Sequence, residues 1–162
     1  GDKKGGGSSL HLIARPNIIE KLRDEMQLPI KLIHIVRHPL DNIATHKRKW
    51  SVNPTLQEAI DGYFDRVEAN AKLKSQVAED EWCELTHEEF IENSEDTLRT
   101  LITFLELEPY EDYIKAAAAK VFDSPSKSRT RIEWPQEMID QVAERSQKYD
   151  FLKDYEFTVE AD

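Results

Sequence analysis

LIHIVRHPLDNIAT, residues 32–45, carries the clearest structural signal in the chain. Its first five residues, Leu32 to Val36, form an apolar run of mostly β-branched side chains, bounded by charge before and by Pro39 after. Such a run predicts a buried strand of a parallel sheet. Proline cannot donate to the ladder of a sheet, so the strand is expected to end before Pro39. Asp41 then stands where a helix favours its N-cap, which predicts a helix over 42–50.

Two polar residues fall at the far end of this predicted strand and in the helix that follows. Arg37 comes directly after the strand, and Thr45 lies about one turn inside the helix. In open α/β sheets, ligands bind at that edge. A guanidinium fork beside a hydroxyl and the N–H groups of a helix start suits phosphate oxygens. The alternative is a structural arginine that caps the strand and pairs with Asp41 or another acid.

The remaining elements also follow from periodicity and from turn residues. Two strands linked by helices indicate an α/β fold, with a parallel sheet flanked by helices. A helix is predicted over 18–27, with Pro16 in its first turn, and another over 55–77, with Asn53 as its N-cap and Pro54 at its first position. A strand is predicted over 82–86. Further helices are predicted from Ser94, over 110–121 and from Trp134-Pro135, and an aromatic tail over 149–157 is expected to dock on the core.

Composition and charge limit the classes of function. The chain has 162 residues, for which a single domain is the expectation. Its net charge of −10 argues against a nucleic-acid partner. No apolar stretch approaches the roughly 20 residues that span a bilayer, and no cluster of side chains has metal-ligand spacing. The single cysteine, Cys83, excludes an internal disulfide and favours a reducing, cytoplasmic setting.

The first nine residues, GDKKGGGSS, are rich in glycine and lysine. They do not form a triphosphate-binding loop, because no Gly-Lys-Ser/Thr follows the glycines. We interpret Gly1–Ser9 as a flexible loop from the middle of a domain, with Lys3 and Lys4 in reach of an anionic ligand. A disordered terminus or a cloning remnant is the alternative.

A second polar segment stands out near the C-terminus of this acidic chain. Lys127, Arg129 and Arg131 are three cations among five residues, and Ser128 adds a hydroxyl. Arginine forks and hydroxyls both donate to phosphate oxygens, so the segment is a candidate phosphate contact. A solvated basic loop is the alternative.

The spacing Arg37-x-Pro39-x-Asp41-x-x-x-Thr45 resembles the 3′-phosphate-binding motif of the sulfotransferases that use 3′-phosphoadenosine 5′-phosphosulfate. The family pattern ends in serine where this chain has Thr45, and the hydroxyl is retained. The resemblance implies that Arg37 and Thr45 hold the 3′-phosphate of the donor, whereas Pro39 and Asp41 shape the turn.

Further segments resemble landmarks of the same family, in the same order. HEEF at 87–90 and FLEL at 104–107 stand where the family has Tyr-Glu-Asp-Leu and Phe-Leu-Gly-Leu. His87 replaces a tyrosine that lies near the adenine, and it would stack on the base or hydrogen-bond to it; a strand-end histidine bonded to backbone is the alternative. Ser128-Arg129-x-Arg131 resembles the basic loop that closes over the 3′-phosphate side of the nucleotide.

The resemblance implies a single, partial sulfotransferase-like domain over 1–162, of the P-loop nucleotide-kinase-like type. Its first strand and its 5′-phosphosulfate loop would be absent from this stretch, which would make it helix-rich. The implied activity is transfer of a sulfuryl group from 3′-phosphoadenosine 5′-phosphosulfate, the co-substrate, to an unidentified hydroxyl or amine acceptor without a metal. The chain would supply the 3′-phosphate and adenine side of the donor site, and without the loop it is not expected to catalyse by itself.

The catalytic base is the least determined part of this interpretation. In the family, the segment before the arginine strand can carry a histidine that takes the acceptor's proton, and His11 is the only candidate there. A surface or half-buried histidine without a catalytic role is the alternative, because the spacing of His11 matches no motif. A second hypothesis is a nucleotide-kinase-like module that has lost catalysis and serves as a binding or scaffold piece. Binding of nucleotide would separate the two hypotheses.

Overall fold

The computed structural model describes residues 5–15, 17–49 and 54–159. The predicted α/β class is confirmed, and helices predominate over a small parallel sheet. In chain order, the elements are α1 (Gly5–Ile13), α2 (Ile18–Met26), β1 (Leu32–Val36), α3 (Pro39–Lys49), α4 (Leu56–Lys74), β2 (Trp82–Thr86), α5 (His87–Glu92), α6 (Ser94–Phe104), α7 (Glu111–Ala118) and α8 (Gln136–Ser146), with 3₁₀ turns at Glu79–Glu81 and Ser128–Arg131.

The two strands pair in parallel, with Leu32 opposite Trp82 and Val36 opposite Thr86. Both strands have their predicted bounds. Helices α3 and α4 form the crossover between them. Because the carboxyl ends of parallel strands meet at the same edge of a sheet, the residue after β1 and the first residue of α5 lie at one edge.

The described residues cover only one face of β1. Val36 is 4% exposed, whereas Ile33 and Ile35 are 40% and 54% exposed. The prediction of a buried strand is therefore wrong for two of its five side chains. The physical reason is that the helices and the tail of the main core all pack on the side of Val36.

The main core lies between that covered face and the helices. Leu40 and Ile43 of α3 pack with Ile60 and Phe64 of α4, and all four are buried. Removal of this apolar surface from water is the main stabilising contribution to such a fold. The predicted docking of the aromatic tail is confirmed, and the tail contacts the core through Tyr149, Phe151, Tyr155, Phe157 and Val159.

Helix α3 begins three residues earlier than predicted. It starts at Pro39, so Asp41 lies in the first turn and is not the N-cap. Proline fits a first helical position because its ring presets φ and its missing N–H is not needed there. His38 takes over the capping, since its Nδ1 accepts a hydrogen bond from the Leu40 amide at 3.2 Å. Trp50, the predicted last residue of this helix, lies outside the described residues.

Helix α4 is capped by Thr55. Its hydroxyl accepts from the Glu58 amide at 3.2 Å, while the Glu58 carboxylate accepts from the Thr55 amide at 2.6 Å. This reciprocal capping box satisfies two backbone donors that a helix start leaves open. The predicted N-cap, Asn53, lies outside the described residues, and the predicted first position, Pro54, precedes the helix.

The first helix begins inside the segment predicted to be a loop. Residues 1–4, with Lys3 and Lys4, lie outside the described residues, but α1 starts at Gly5. Helix α1 packs against α4, and tertiary packing of this kind offsets the low helix propensity of glycine. Pro16, predicted in the first turn of α2, is also outside the described residues, whereas α2 itself is confirmed.

Candidate anion-binding site

Arg37 places its guanidinium at the carboxyl end of β1, beside the start of α3. Its Nη2 donates to the Ser126 carbonyl at 2.6 Å and to Ser128 Oγ at 3.2 Å. Its Nη1 lies 3.4 Å from Thr45 Oγ1, near the long limit of a hydrogen bond. Its Nε is buried and has no partner among the described residues. Because buried donors are normally paired, the guanidinium retains capacity to bind an anion.

Thr45 contributes a hydroxyl one turn into α3. Its Oγ1 donates to the Asp41 carbonyl at 2.8 Å, which leaves its lone pairs for Arg37. To donate to a phosphate oxygen, the hydroxyl must turn away from that carbonyl. The sequence predicted that Arg37 and Thr45 lie together, and the structure places them within 3.4 Å.

The 3₁₀ turn of Ser128–Arg131 packs against α3. Ser128 is 6% exposed, and its Oγ accepts from Arg37, so its own proton remains to be donated. Arg131, at the end of the turn, is exposed. Of the residues predicted in this segment, Ser128 is the one that the structure brings directly to Arg37.

Arg129, in the same turn, is bound to Asp41. The Asp41 carboxylate accepts from the Arg129 amide at 2.7 Å and from its Nη1 at 2.6 Å. The side chains are 14% and 3% exposed for Arg129 and Asp41, so this is a buried ion pair. On the other side, the Trp134 indole N–H donates to the Arg129 carbonyl at 3.0 Å. No local pattern in the sequence distinguishes Arg129 from Arg37 as the partner of Asp41, because Arg129 lies 88 residues away along the chain.

His87 begins α5 directly after β2. Its Nδ1 is buried and has no hydrogen-bond partner in the described part of the chain. Burial lowers the pKa of His87, and the positive charge of Arg37 lowers this pKa further. The ring is therefore neutral at pH 7, and a neutral imidazole suits contact with a base better than an ion pair with a phosphate.

A second polar network lies at the same edge of the sheet, and its residues were not predicted from the sequence. Glu88 accepts from the His38 amide at 3.1 Å and from the Tyr155 hydroxyl at 3.0 Å. The His38 Nε2–H donates to the Glu156 carbonyl at 2.9 Å. These bonds tie the C-terminal tail to the junction between β1 and α3, next to Arg37. No local pattern signals them, because Glu88 and Tyr155 lie 67 residues apart.

A cavity of about 350 Å³ lies between the end of β2 and the tail. Val36, Leu85 and Phe151 contribute apolar surface to it. Among the described residues, its lining contains neither lysine nor arginine. Carboxylates repel anions, so the phosphates of a nucleotide suit the Arg37 side of this edge and not the cavity. The carboxylates that line the cavity belong to Glu84, Glu88, Glu89, Asp150 and Asp154.

Other predicted features do not join this site. His11 is exposed on α1, and none of the hydrogen bonds described for the site reaches it. Over residues 5–15, 17–49 and 54–159, no three or more histidine, cysteine, aspartate or glutamate side chains are grouped to hold a metal ion. Within the same ranges, no helix combines the length and the apolar character needed to cross a membrane.

A comparison with protein-family models matches residues 29–112, a little more than half of the chain, to the sulfotransferase family. The matched residues include β1, the segment from Arg37 to Thr45, β2 and His87. The match ends before Ser128, so the role of the 3₁₀ turn depends on geometry alone. Comparisons with curated proteins and with solved structures found no match.

Proposed function

The chain belongs to the sulfotransferase family, and on that premise we propose that it takes part in transfer of a sulfuryl group from 3′-phosphoadenosine 5′-phosphosulfate to a hydroxyl or amine acceptor. In this proposal, Arg37, Thr45 and Ser128 hold the 3′-phosphate of the donor, with Arg131 near the rim. His87 contacts the adenine. We call Arg37, Thr45, Ser128 and Arg131 the 3′-phosphate site.

One observation carries the proposal. The Arg37 guanidinium lies within 3.4 Å of two hydroxyls, those of Thr45 and Ser128, at the start of α3. The N–H groups of Leu40, Asp41 and Asn42 at the start of α3 already donate to His38, so the donors expected from the helix start are occupied. A cationic fork and two hydroxyls remain to donate from several directions to one phosphate. The hydroxyl proton of Ser128 is available because its oxygen is the acceptor for Arg37.

The arrangement also explains how these residues would assist the reaction. Sulfuryl transfer resembles phosphoryl transfer in that positioning and charge stabilisation supply most of the catalysis. Contacts to the 3′-phosphate are remote from the transferred group, so their binding energy holds the donor in the reactive orientation. Arg37 supplies the positive charge, and the neutral ring of His87 supplies a flat surface for the base.

The test is a calorimetric titration of the whole chain with adenosine 3′,5′-bisphosphate and, separately, with adenosine 5′-monophosphate. The two ligands differ only in the 3′-phosphate. Charge-assisted hydrogen bonds contribute about 1.5–3 kcal/mol each, so we expect the bisphosphate to bind about tenfold more tightly or better. The Arg37→Ala variant should lose this preference.

The matched control is Arg145→Ala, which removes an arginine from an ion pair with Asp61 at 2.7 Å. This variant should keep the preference, because Arg145 belongs to α8 and to none of the contacts of the site. Equal binding of the two ligands by the native, folded chain would overturn the proposal.

A second candidate function is supported by one contact. Nη2 of Arg37 already donates to the Ser126 carbonyl at 2.6 Å, as expected of an arginine that only holds the fold together. The chain would then be a non-catalytic, nucleotide-kinase-like binding or scaffold module. The same titration separates the two functions, since this module would be folded and would show no preference for the bisphosphate.

A further inference from the structure

We propose that Arg129 is a positioning residue, which neutralises and holds Asp41 so that Arg37 and Ser128 remain available to the 3′-phosphate. This inference rests on the proposed function, and it assigns Arg129 a role other than direct phosphate contact. The inference is based on the buried pair of Asp41 and Arg129. The Asp41 carboxylate accepts from Nη1 of Arg129 at 2.6 Å and from its backbone amide at 2.7 Å.

Both carboxylate oxygens of Asp41 are occupied by Arg129. Oδ1 accepts from the backbone N–H, and Oδ2 accepts from Nη1. Asp41 is 2% exposed and lies in the first turn of α3, four residues from Arg37 in sequence. An unpaired carboxylate at this place would compete with a phosphate for Arg37 and would repel the phosphate itself. Pairing with Arg129 removes both effects.

The pair also determines where Ser128 lies. The amide of Arg129 is held by Asp41, and its carbonyl is held by the Trp134 indole at 3.0 Å. Ser128 is the preceding residue, and its Oγ is therefore kept 3.2 Å from Nη2 of Arg37. Two bonds on consecutive backbone groups thus fix the residue that carries the second hydroxyl of the site.

The charge of Arg129 is already committed within the protein. Its side chain is 14% exposed, and its Nε is buried without a partner among the residues described. A guanidinium that left Asp41 for a phosphate would abandon a buried carboxylate, which is costly. Arg129 therefore acts on the ligand through Asp41, Ser128 and Arg37.

The decisive variant replaces both members of the pair with neutral, similarly shaped side chains, Asp41→Asn with Arg129→Gln. The asparagine Oδ1 can still accept from the amide at position 129, so the turn keeps its place, and no buried charge is left unpaired. If Arg129 is a positioning residue, the ratio of bisphosphate to monophosphate affinity should stay within about threefold of the native ratio. If Arg129 binds the phosphate directly, this ratio should fall about tenfold, because one cation is lost.

The single variant Arg129→Gln tests whether Arg129 is needed to neutralise Asp41. It leaves a buried Asp41 carboxylate unpaired against the turn that carries Ser128, which contacts Arg37. We therefore expect the affinity ratio to fall about tenfold and to be restored when Asp41→Asn is added. Should the single variant fail to fold, the double variant still overturns the inference if it has lost the preference for the bisphosphate. The control is Asp61→Asn with Arg145→Gln, the same exchange in an ion pair of α4 and α8, which should leave the ratio unchanged.

The outcomes separate this inference from the proposed function. A native chain that prefers the bisphosphate, together with a double variant that has lost the preference, overturns the role of Arg129 and leaves the proposed function intact. A native chain without any preference overturns both. A native preference that survives in the double variant and is lost in Arg129→Gln supports both.

Discussion

The ion pairs of Arg99 and Arg129 differ in burial, and the number of carboxylates that each arginine contacts does not show this difference. Arg99 of α6 reaches three carboxylates, those of Glu95, Asp96 and Glu111, at 2.7–3.2 Å, and its side chain is 34% exposed. Arg129 reaches a single carboxylate, that of Asp41, and the two side chains are 14% and 3% exposed. The comparison teaches that burial, more than the count of ion pairs, decides what an ion pair does.

The physical reason is the cost of taking charge out of water. Exposed ion pairs gain little, because water and salt screen the attraction and long side chains lose freedom. A buried pair has already lost its hydration, so each charge depends on the other, and removal of one partner leaves the second unsatisfied. The Arg129 pair therefore controls the geometry of a site, whereas the Arg99 cluster secures the surface between α6 and α7.

The largest effect is expected when the buried pair is broken. Arg129→Gln should reduce the free energy of unfolding by about 3 kcal/mol or more, because it strands a buried carboxylate. The double variant with Asp41→Asn should recover most of this loss, since no charge then remains buried. Urea unfolding at pH 7, followed by circular dichroism, measures both values. Losses that add in the double variant would show that the two residues are not energetically coupled.

The pH dependence of the free energy of unfolding should also differ between the two arginine clusters, and this effect is smaller. His38, next to the buried pair, has its pKa lowered by burial and further by the charge of Arg129, against opposing contributions from Glu156, Asp41 and Glu88. The unfolded chain takes up a proton near the ordinary histidine value of 6.5, and the folded chain resists it. Below that pH the unfolded state binds more protons, so the free energy of unfolding should fall as the pH falls from about 6.5.

The variant His38→Asn tests this dependence. Asparagine keeps an acceptor for the Leu40 amide but does not titrate, so the decline of stability below pH 6.5 should become shallower. His34, His46 and His87, whose pKa values are also lowered by burial, supply the rest of the decline. An identical decline in native chain and variant would contradict the assignment to His38.

The exposed Arg99 cluster should lose its contribution to the free energy of unfolding in a different pH range. The hydrogen bond from Arg99 lowers the pKa of Glu111 below its ordinary value of 4.5. A carboxylate with a depressed pKa contributes stability above 4.5 and loses it as the pH falls through the folded value. The two clusters therefore lose their contributions in separate ranges, the region of His38 first and the region of Arg99 at more acidic pH.

The smallest effect is expected for Arg99→Ala. Although this variant breaks contacts to three carboxylates, its urea midpoint at pH 7 should shift less than that of Arg129→Gln, because the cluster is exposed. The remaining difference from the native chain should shrink in 1 M sodium chloride, where the Debye length is about 3 Å. A shift larger than that of Arg129→Gln would reverse the comparison.

Much of the fold could be predicted because the signals for it are local. The apolar runs of Leu32–Val36 and Trp82–Thr86 specify strands within five residues each, and both strands have the predicted bounds. Arg37 and Thr45 are only 8 residues apart along one strand–helix unit, so the geometry of that unit brings them together. The helix starts were less well predicted, because Pro39 and Thr55 each compete with a neighbouring residue that would also suit a helix start.

By itself, then, the sequence determined the class of fold, the family and the two residues at the centre of the candidate site. Tertiary structure alone decided that Ile33 and Ile35 lie on an open face, since periodicity cannot tell which faces of a strand will be covered. It also decided which cation of the 3₁₀ turn binds Asp41, 88 residues away. Arginines in one short segment look alike in sequence, and burial of the turn against α3 brings one of them into hydrogen-bond distance of a carboxylate that water no longer screens.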